Sequence, residues 1–517
     1  LFDGGRARFD GVMHRYFYDE INRRKDGKIR QVDQRIEAGE AKLAELELTI
    51  KDLADRRVVN GKTYTVQELL GIYGYSLNYK SKLAVVFGNK ISQRDIIDIT
   101  HHVEVEDPRL AELVNWMIAE YDQHFDRLED AYIEQFEKRL VKEMNYLPMR
   151  RQEVDYEADQ REITEDLQRR YHLKKAYAKK GMTIERQDIP EEAQKPIRLD
   201  LWSLWMEQVE RQEHFIHYSK HTANLHRIVS NESFQRVVKN KFGKEYYRAV
   251  RRYVDRNADP NIYKVYDNAE LVSRTLRQHA AISYLCMNLV TMGKQLPSVM
   301  YVLADAGPKH LFASFAEFIQ NPRAVIDKVA KYDPQVSHAA INRVMEELKL
   351  QERDTYDSLL RRVGKAGMNG IYMMDKIARS VGWNAVYNRA IDEGNSEAEA
   401  VRLAQNAILR TQPAADPKDL PDIYTNGETM NWFLMFSNQL SKMYNMLTYD
   451  ALRQAYADKQ YQKAMYTVGA ISLSGLVMWA ISHRRLPDDE EDIMEALSDQ
   501  AISMIPLVGN VIMAKRR

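Results

Sequence analysis

The chain has 517 residues, and its 75 Lys+Arg are balanced by 75 Asp+Glu, so it carries no formal net charge. Its 22 Gly and 14 Pro are about 7% of the residues against a usual share near 12%, which argues against sandwiches, barrels and propellers, folds that need a turn every ~8–12 residues. With 29% charged and 44% hydrophobic residues, the chain is neither disordered nor an ordinary multispan membrane protein.

Charge neutrality means that any nucleic-acid contact must come from local geometry rather than a global basic field. The 30 Tyr and 22 Met suit adaptable contact surfaces. The lone cysteine, Cys286, excludes an intramolecular disulfide framework and Cys-based zinc sites. The first residues, Leu1-Phe2-Asp3-Gly4-Gly5, offer neither an initiator Met nor a signal peptide, and the expectation is a piece of a longer polypeptide.

In chain order, the first expected element is a helix over residues 6–57. Within it Ile29, Val32, Ile36, Gly39, Leu43, Leu46, Ile50 and Leu53 alternate at spacings of three and four, as a coiled-coil seam requires. Gly39 weakens that seam by about 1 kcal/mol against Ala. The stripe packs either on a neighbouring helix of the same chain or on another chain. Asn60-Gly61, inside the β-branched stretch from Arg57 to Thr65, is a strong hairpin signal and the one place where strands are expected. A second long helix is expected from Pro108 to Met144. Leu110, Val114, Met117, Tyr121, Phe125, Leu128, Tyr132, Phe136 and Leu140 recur every three or four residues. Asp107-Pro108 suits its start, and Pro148 ends it.

Residues 150–200 are charged and contain Pro190 and Pro196, the composition of an exposed connector. Residues 201–350 read as amphipathic helices broken at Asp259-Pro260, Pro297, Gly307-Pro308, Asn321-Pro322 and Asp333-Pro334, and residues 351–412 continue in that style. Ser396 is expected to cap a helix with Glu399 as its capping-box partner. A loop follows over Asp416 to Pro421, then a helix from Met430 to about Asp458, rich in Met and aromatics. Ala464 to Ser482 is a run of 19 residues without a formal charge, close to the ~20 that span a bilayer core. Trp479 stands where an interface aromatic would be, and Gly469, Ser472 and Gly475 form a small-residue stripe. An acidic cluster, Asp488 to Asp492, precedes a second apolar run, Ala501 to Ala514, which Pro506 and Gly509 interrupt. That run is too short to span alone and reads as re-entrant, interfacial or buried. The two runs form either a membrane hairpin or a core helix pair of a soluble assembly.

The expected fold class is therefore all-α: long amphipathic helices and helical bundles with a coiled-coil-like segment and at most one small β-hairpin. Four regions are expected: a long-helix region with the hairpin (1–150), a charged connector (151–200), a helical bundle (201–415), and the Met/aromatic helix with its apolar hairpin (416–517).

The sequence contains no Gly-rich nucleotide loop, no His-Glu-x-x-His, no nucleophile elbow and no kinase signature. Glu210, Glu213, His214, His217 and His221 are the one tempting cluster. The three histidines share a helix face and are able to hold a divalent metal there, or to form a polar, pH-sensitive face. A catalytic zinc usually needs a further ligand from elsewhere, and none is marked. His101-His102 with Glu104 and Glu106 is a weaker version of the same pattern. No catalytic, cofactor-binding or metal-binding residue is assigned, no cofactor is expected, and the segment is not expected to be an enzyme.

Several motifs then occur in a telling order: Asn145-Tyr146-Leu147-Pro148, the apolar stretch from Asn288 to Ser298, Met374-Asp375 with Gly382-Trp383-Asn384-Ala385-Val386-Tyr387, Gly394 to Ala398, the Met/aromatic helix Trp432–Tyr449, the charge-free run, Leu486-Pro487-Asp488-Asp489, and Ile505 to Gly509. In that order, over roughly residues 140–517, the chain resembles the large polyvalent-protein-associated domains and the internal virion (ejection) proteins of tailed phages. The resemblance implies a protein packed in the virion interior that leaves through the tail ahead of the DNA. It would then build a conduit or motor across the host cell envelope and periplasm. The implied partners are further copies of itself, other ejection proteins and portal or tail proteins, with the host inner membrane and passing double-stranded DNA left open. Two alternatives stand beside it: a capsid- or tail-resident structural protein without membrane contact, and a metal-dependent hydrolase module.

Overall fold

The computed structural model describes residues 11–151, 190, 194–258, 296–336, 358–412 and 442–503. The fold is all-α, and among the described residues the only sheet is one two-stranded hairpin. The chain forms two compact units, Leu1–Val265 and Tyr266–Arg517.

The first unit opens with a π-helical turn, His14–Asp19, that runs on as α1, Glu20–Glu45. The expected helix to residue 57 stops early, because Glu47 takes a left-handed φ of 54° and turns Leu46 and Leu48 into the core. The heptad spacing therefore outlasts its helix. Ile29, Gly39 and Leu43 are buried against the same chain, whereas Ile50 is exposed. Strands β1 (Arg56–Val59) and β2 (Lys62–Thr65) pair antiparallel around Asn60 and Gly61, both at positive φ, as a type I′ turn requires. Thr65 and Ser92 each form a full capping box, starting α2 (Val66–Ser76) and α4 (Gln93–His101); α3 (Tyr79–Leu83) lies between them. Helix α5, Pro108–Phe136, begins on its proline as expected but ends eight residues short of Met144, where Glu137 adopts φ 56°. The released chain folds Leu140 back over Phe215 and Phe136.

Helix α2 is buried on nearly all sides. Two extended segments cross it at its glycines. A Cβ on Gly71 would stand 2.1 Å from the Leu199 carbonyl oxygen, and one on Gly74 would stand 2.5 Å from Leu147 Cδ1. The two segments also bond to each other, with Arg198 N–H donating to the Arg150 carbonyl at 2.8 Å and Arg151 bridging Ile197. Asn145-Tyr146-Leu147-Pro148 is thus a strap over α2: Leu147 is buried, and Tyr75 Oη donates to the Pro148 carbonyl at 2.7 Å. Beyond it, α6 (Leu201–Ser230) runs antiparallel to α1, and α7 (Glu232–Phe242) and α8 (Lys244–Ala258) fold back on Phe17 and Ile21. The sequence separated residues 1–150 from 201–415. In the structure Trp202, Trp205 and Val209 of α6 belong to one hydrophobic core with α2, α4 and α5.

The described part of the second unit begins with a 3₁₀ turn, Leu296–Val302, and α9, Leu303–Gln320, which kinks at Gly307-Pro308. Then come α10 (Pro322–Tyr332), α11 (Ser358–Asp392) and α12 (Glu397–Thr411). Asn321-Pro322 is a cap-plus-proline start, and Asp333 ends α10 while capping the next turn. Ser396 caps α12 as expected, but Glu399 turns to Arg402. The stretch from Gly382 to Tyr387 is the knot of this core. Trp383 Nε1 donates to Asp333 at 3.0 Å, and buried Asn384 joins Ser314, Glu317 and Lys328 at 2.7–3.0 Å. Tyr387 stacks on Trp383. A π-helical turn, Met446–Ala451, leads into α13 (Leu452–Tyr456), α14 (Tyr461–His483) and α15 (Glu490–Ser503). The expected Met/aromatic helix is described from residue 442 onward; most of Asn288 to Ser298 and of the second apolar run lies outside the described residues.

Candidate functional site

Helix α14 is long and apolar enough, by length and composition, to cross a membrane. The way it packs is informative. Ala464, Thr467, Ala470, Ile471, Ser474, Gly475 and Trp479 recur at helical spacing and face the second unit. Their contacts are mixed: Ile471 packs with Tyr301, Met443 and Met446, and polar groups meet beside it. Ser474 Oγ lies 2.7 Å from Tyr301 Oη, Thr467 Oγ1 donates to Gln454 at 2.9 Å, and Gly475 lies against Gln500 of α15. Three apolar side chains face away: Met465 is 72% exposed, and Val468 and Leu473 are also exposed. Only 33% of the most apolar 18-residue stretch is buried in the protein's own packing.

At the start of α14, Lys463 Nζ stands 3.3 Å from Asp305, which also pairs with Arg410; Arg410 reaches Asp450 at 3.3 Å. Burial opposes the ionisation of Asp305, but the two cations outweigh it and hold its carboxyl below the usual range. Burial prevails at Asp450, whose carboxyl is raised. The far end of α14 turns into α15. Trp479 is buried there rather than placed as an interface aromatic. Its Nε1 donates to Glu495 at 2.9 Å, and its ring stacks on His483 beneath the Arg485 guanidinium. The small-residue stripe is divided. Gly475 makes the close contact, and a Cβ on Gly469 would meet nothing within 4 Å.

Asp488, Asp489 and Asp492 bring their carboxylates within reach of one another. Each already has work within the turn: Arg485 pairs with Asp488 and Asp492, and Asp489 accepts from the Asp492 amide at 2.8 Å.

The histidine face does not converge. His214 Nε2 donates to the Ala258 carbonyl at 3.1 Å and its ring stacks on Tyr218. His217 lies against Gly27 of α1, 3.5 Å from Glu213. His221 is half-buried beside Glu20, and its Nε2 is buried with no hydrogen-bond partner among the described residues. Burial, reinforced by Arg24 and Arg23 and opposed by Glu20, lowers its pKa to about 4. Glu210 turns to Lys28 at 3.4 Å. His102 pairs with Glu106 at 2.6 Å on the surface, and Glu104 accepts from Tyr73 at 3.0 Å.

Glu213 instead belongs to a buried ion network that the sequence reading missed. Arg35 of α1 forms a two-pronged pair with Glu120 of α5, at 2.5 and 3.0 Å, and donates to Glu213 and Gln212 of α6 at 3.0 Å each. Arg127 binds the other Glu213 oxygen at 3.1 Å, and Trp205 Nε1 donates to Glu120 at 3.2 Å. Burial alone would raise Glu213; His217, Arg127 and Arg35 outweigh it and bring its pKa down to about 2. Two guanidinium groups and two carboxylates balance, and their geometry joins three helices. Arg35, Glu120 and Glu213 are buried, Arg127 closes the network at the partly exposed edge, and its donors face its own acceptors, so its chemistry is structural. The outward face of α14 is the feature that packing among the described residues leaves unexplained. No protein-family model, curated protein or solved structure matches the chain.

Proposed function

We propose that this chain is an assembly-forming, non-catalytic part of the internal ejection proteins of a tailed phage, with α14 entering the host inner membrane as the genome is delivered. The observation that carries this reading is the exposed apolar face of α14, a helix long and apolar enough to span a bilayer. A surface helix in water turns its large apolar residues inward. In lipid, small and hydroxyl residues face neighbouring helices. α14 shares part of the second pattern: Ser474, Thr467 and Gly475 lie inward beside Ile471 and Trp479, while Met465, Val468 and Leu473 stand outward. The order of sequence motifs over residues 140–517 supports the phage assignment.

The full chain is expected to float with vesicles of phosphatidylethanolamine and phosphatidylglycerol in a density gradient. Leu473→Arg places a charge on the outward face, costing about 2.5–3.5 kcal/mol at the middle of a spanning helix. It should abolish flotation while leaving helix content and melting temperature unchanged. Particles carrying the variant should contain normal amounts of protein and fail to deliver DNA. Wild-type protein that never floats overturns the membrane reading. The bonds from Lys463 to Asp305 and from Ser474 to Tyr301 favour a second reading, in which α14 stays docked and another subunit of a capsid or tail assembly covers its outer face. Self-association lost in Leu473→Arg, without flotation, would be its signature.

A further inference from the structure

We infer that the α7–α8 hairpin is a docking surface for the phosphate backbone of double-stranded DNA. Residues 232–252 carry seven Lys and Arg against two Glu, in a chain whose overall charge is zero. The hairpin has a defined inside and outside. Val238, Tyr247, Val250, Tyr253 and Val254 pack on Phe17, Ile21, Tyr218, Leu225 and Val229, and Tyr247 Oη donates to the Val229 carbonyl at 3.1 Å. Gly243, at φ 92°, makes the turn between the two helices, and a Cβ there would meet nothing. With the apolar side fixed on α6, most of the cations stand on the outer side; Arg251 and Arg252 are half-buried, and Arg248 also pairs with Glu245. Arg236, Lys241, Lys244 and Arg248 are exposed, and Lys239 lies over the Tyr247 ring at 4.5 Å. On α8, Lys244, Arg248 and Arg252 follow at i, i+4 and i+8, a row about 12 Å long at 1.5 Å per residue. Each strand of duplex DNA offers roughly one negative charge per 3.4 Å of the axis, so that row matches about three or four phosphates of one strand.

Three features select duplex DNA. Four of the seven cations are Arg, whose planar fork matches a phosphate in two-pronged fashion. Phe242 and Tyr246 pack on each other at 4.8 Å rather than standing open as a base-stacking platform for single strands. A lipid-surface helix needs an apolar face free to sink into the headgroups; here that face is occupied, and Val237 and Phe242 are the large apolar side chains left exposed. The contact is with backbone only, so it carries no sequence preference.

The test uses the full chain and a fluorescein-labelled duplex of about 30 base pairs and arbitrary sequence, followed by anisotropy at several salt concentrations. Wild-type binding should weaken steeply with salt, and each phosphate contact removed should lower the log–log slope by about 0.9. Arg236→Glu/Lys241→Glu/Lys244→Glu alters exposed side chains and should keep the wild-type melting curve. It should weaken duplex binding at least tenfold and flatten the slope, whereas Lys241→Arg/Lys244→Arg should bind like wild type. Leu473→Arg should leave duplex binding unchanged, which separates this inference from the membrane reading of α14. Equal duplex binding by wild type and the triple Glu variant overturns the proposal. So does an absence of wild-type binding, including the case in which the triple variant loses only adsorption to phosphatidylglycerol vesicles.

Discussion

Arg35 spends its guanidinium on Glu120, Glu213 and Gln212 while only 3% of the residue is exposed. Removing one member of such a group leaves a buried charge without its counterpart, at about 3–5 kcal/mol, whereas removing a matched pair costs much less. Arg35→Met is therefore expected to lower unfolding free energy in urea by that amount. Arg35→Met/Glu120→Met should be more stable than Arg35→Met alone, because Glu213 keeps Arg127 at 3.1 Å. A double variant less stable than the single would contradict this account. The network was partly legible. Arg35, Glu120 and Glu213 each interrupt an apolar stripe on its own helix, two acids against one base. Helical periodicity marks the interruptions, but nothing in the sequence pairs them across 85 and 178 positions.

His221 gives the first unit a pH dependence at the same scale. Its folded pKa, about 4, lies below its ordinary value of 6.5. As pH falls through 6.5 the unfolded chain takes up a proton that the folded chain refuses, so stability falls until both forms are protonated near pH 4. Glu213, with a folded pKa of about 2 against 4.5, adds a loss in the next window down, from about pH 4.5 to 2. Melting temperature should therefore decline between pH 6.5 and 4, and His221→Phe should flatten that decline. An unchanged profile in the variant would show that His221 is not its source.

Among the elements, α1 shows how a correct local rule misleads. Gly39 reads as a weak point in a helical seam, worth about 1 kcal/mol against Ala. In the fold a Cβ there would lie 2.6 Å from Trp205 and 3.0 Å from Trp202, both buried. The glycine is what lets α6 lay two indoles against α1. Gly39→Ala should destabilise by about 1–3 kcal/mol through overpacking, opposite in sign to its helix propensity, as read from the urea midpoint. A stabilised variant would mean that the indoles shift freely. Turns and caps were the most legible features: Asn60-Gly61, Pro108, Asn321-Pro322 and Ser396 act through neighbours in sequence. Helix ends set by left-handed residues such as Glu47 and Glu137 were not, since non-glycine residues advertise that conformation poorly. α14 was legible as an apolar run, but its orientation was not. Small and large residues stand on both of its faces, and only packing against Tyr301, Gln454 and Gln500 decides which are covered.

At the scale of the molecule, zero net charge conceals a basic outer surface on α7–α8, and of the charged stretch 150–200 only the ends lie among the described residues. Those residues read as a boundary between domains. Yet the described ends of the stretch are tied together by the Arg151–Ile197 bridge and by Asn89, which bonds both the N–H and the carbonyl of Ile197. Composition reports that a segment is solvated; it does not report that both its ends return to one helix. Each of the two units has its own core, with Trp202 and Trp205 in the first and Trp383 in the second. Units with separate cores tend to unfold separately. Calorimetry of the full chain should show two transitions. Arg35→Met should lower one of them and leave the other in place. Trp383→Phe leaves Asp333 without its indole donor, a loss of about 1–3 kcal/mol for a buried acceptor, and should lower only the other. If either substitution moved a single common transition, the two cores would be one cooperative body, and the division at residue 265 would describe the chain's geometry without describing its thermodynamics.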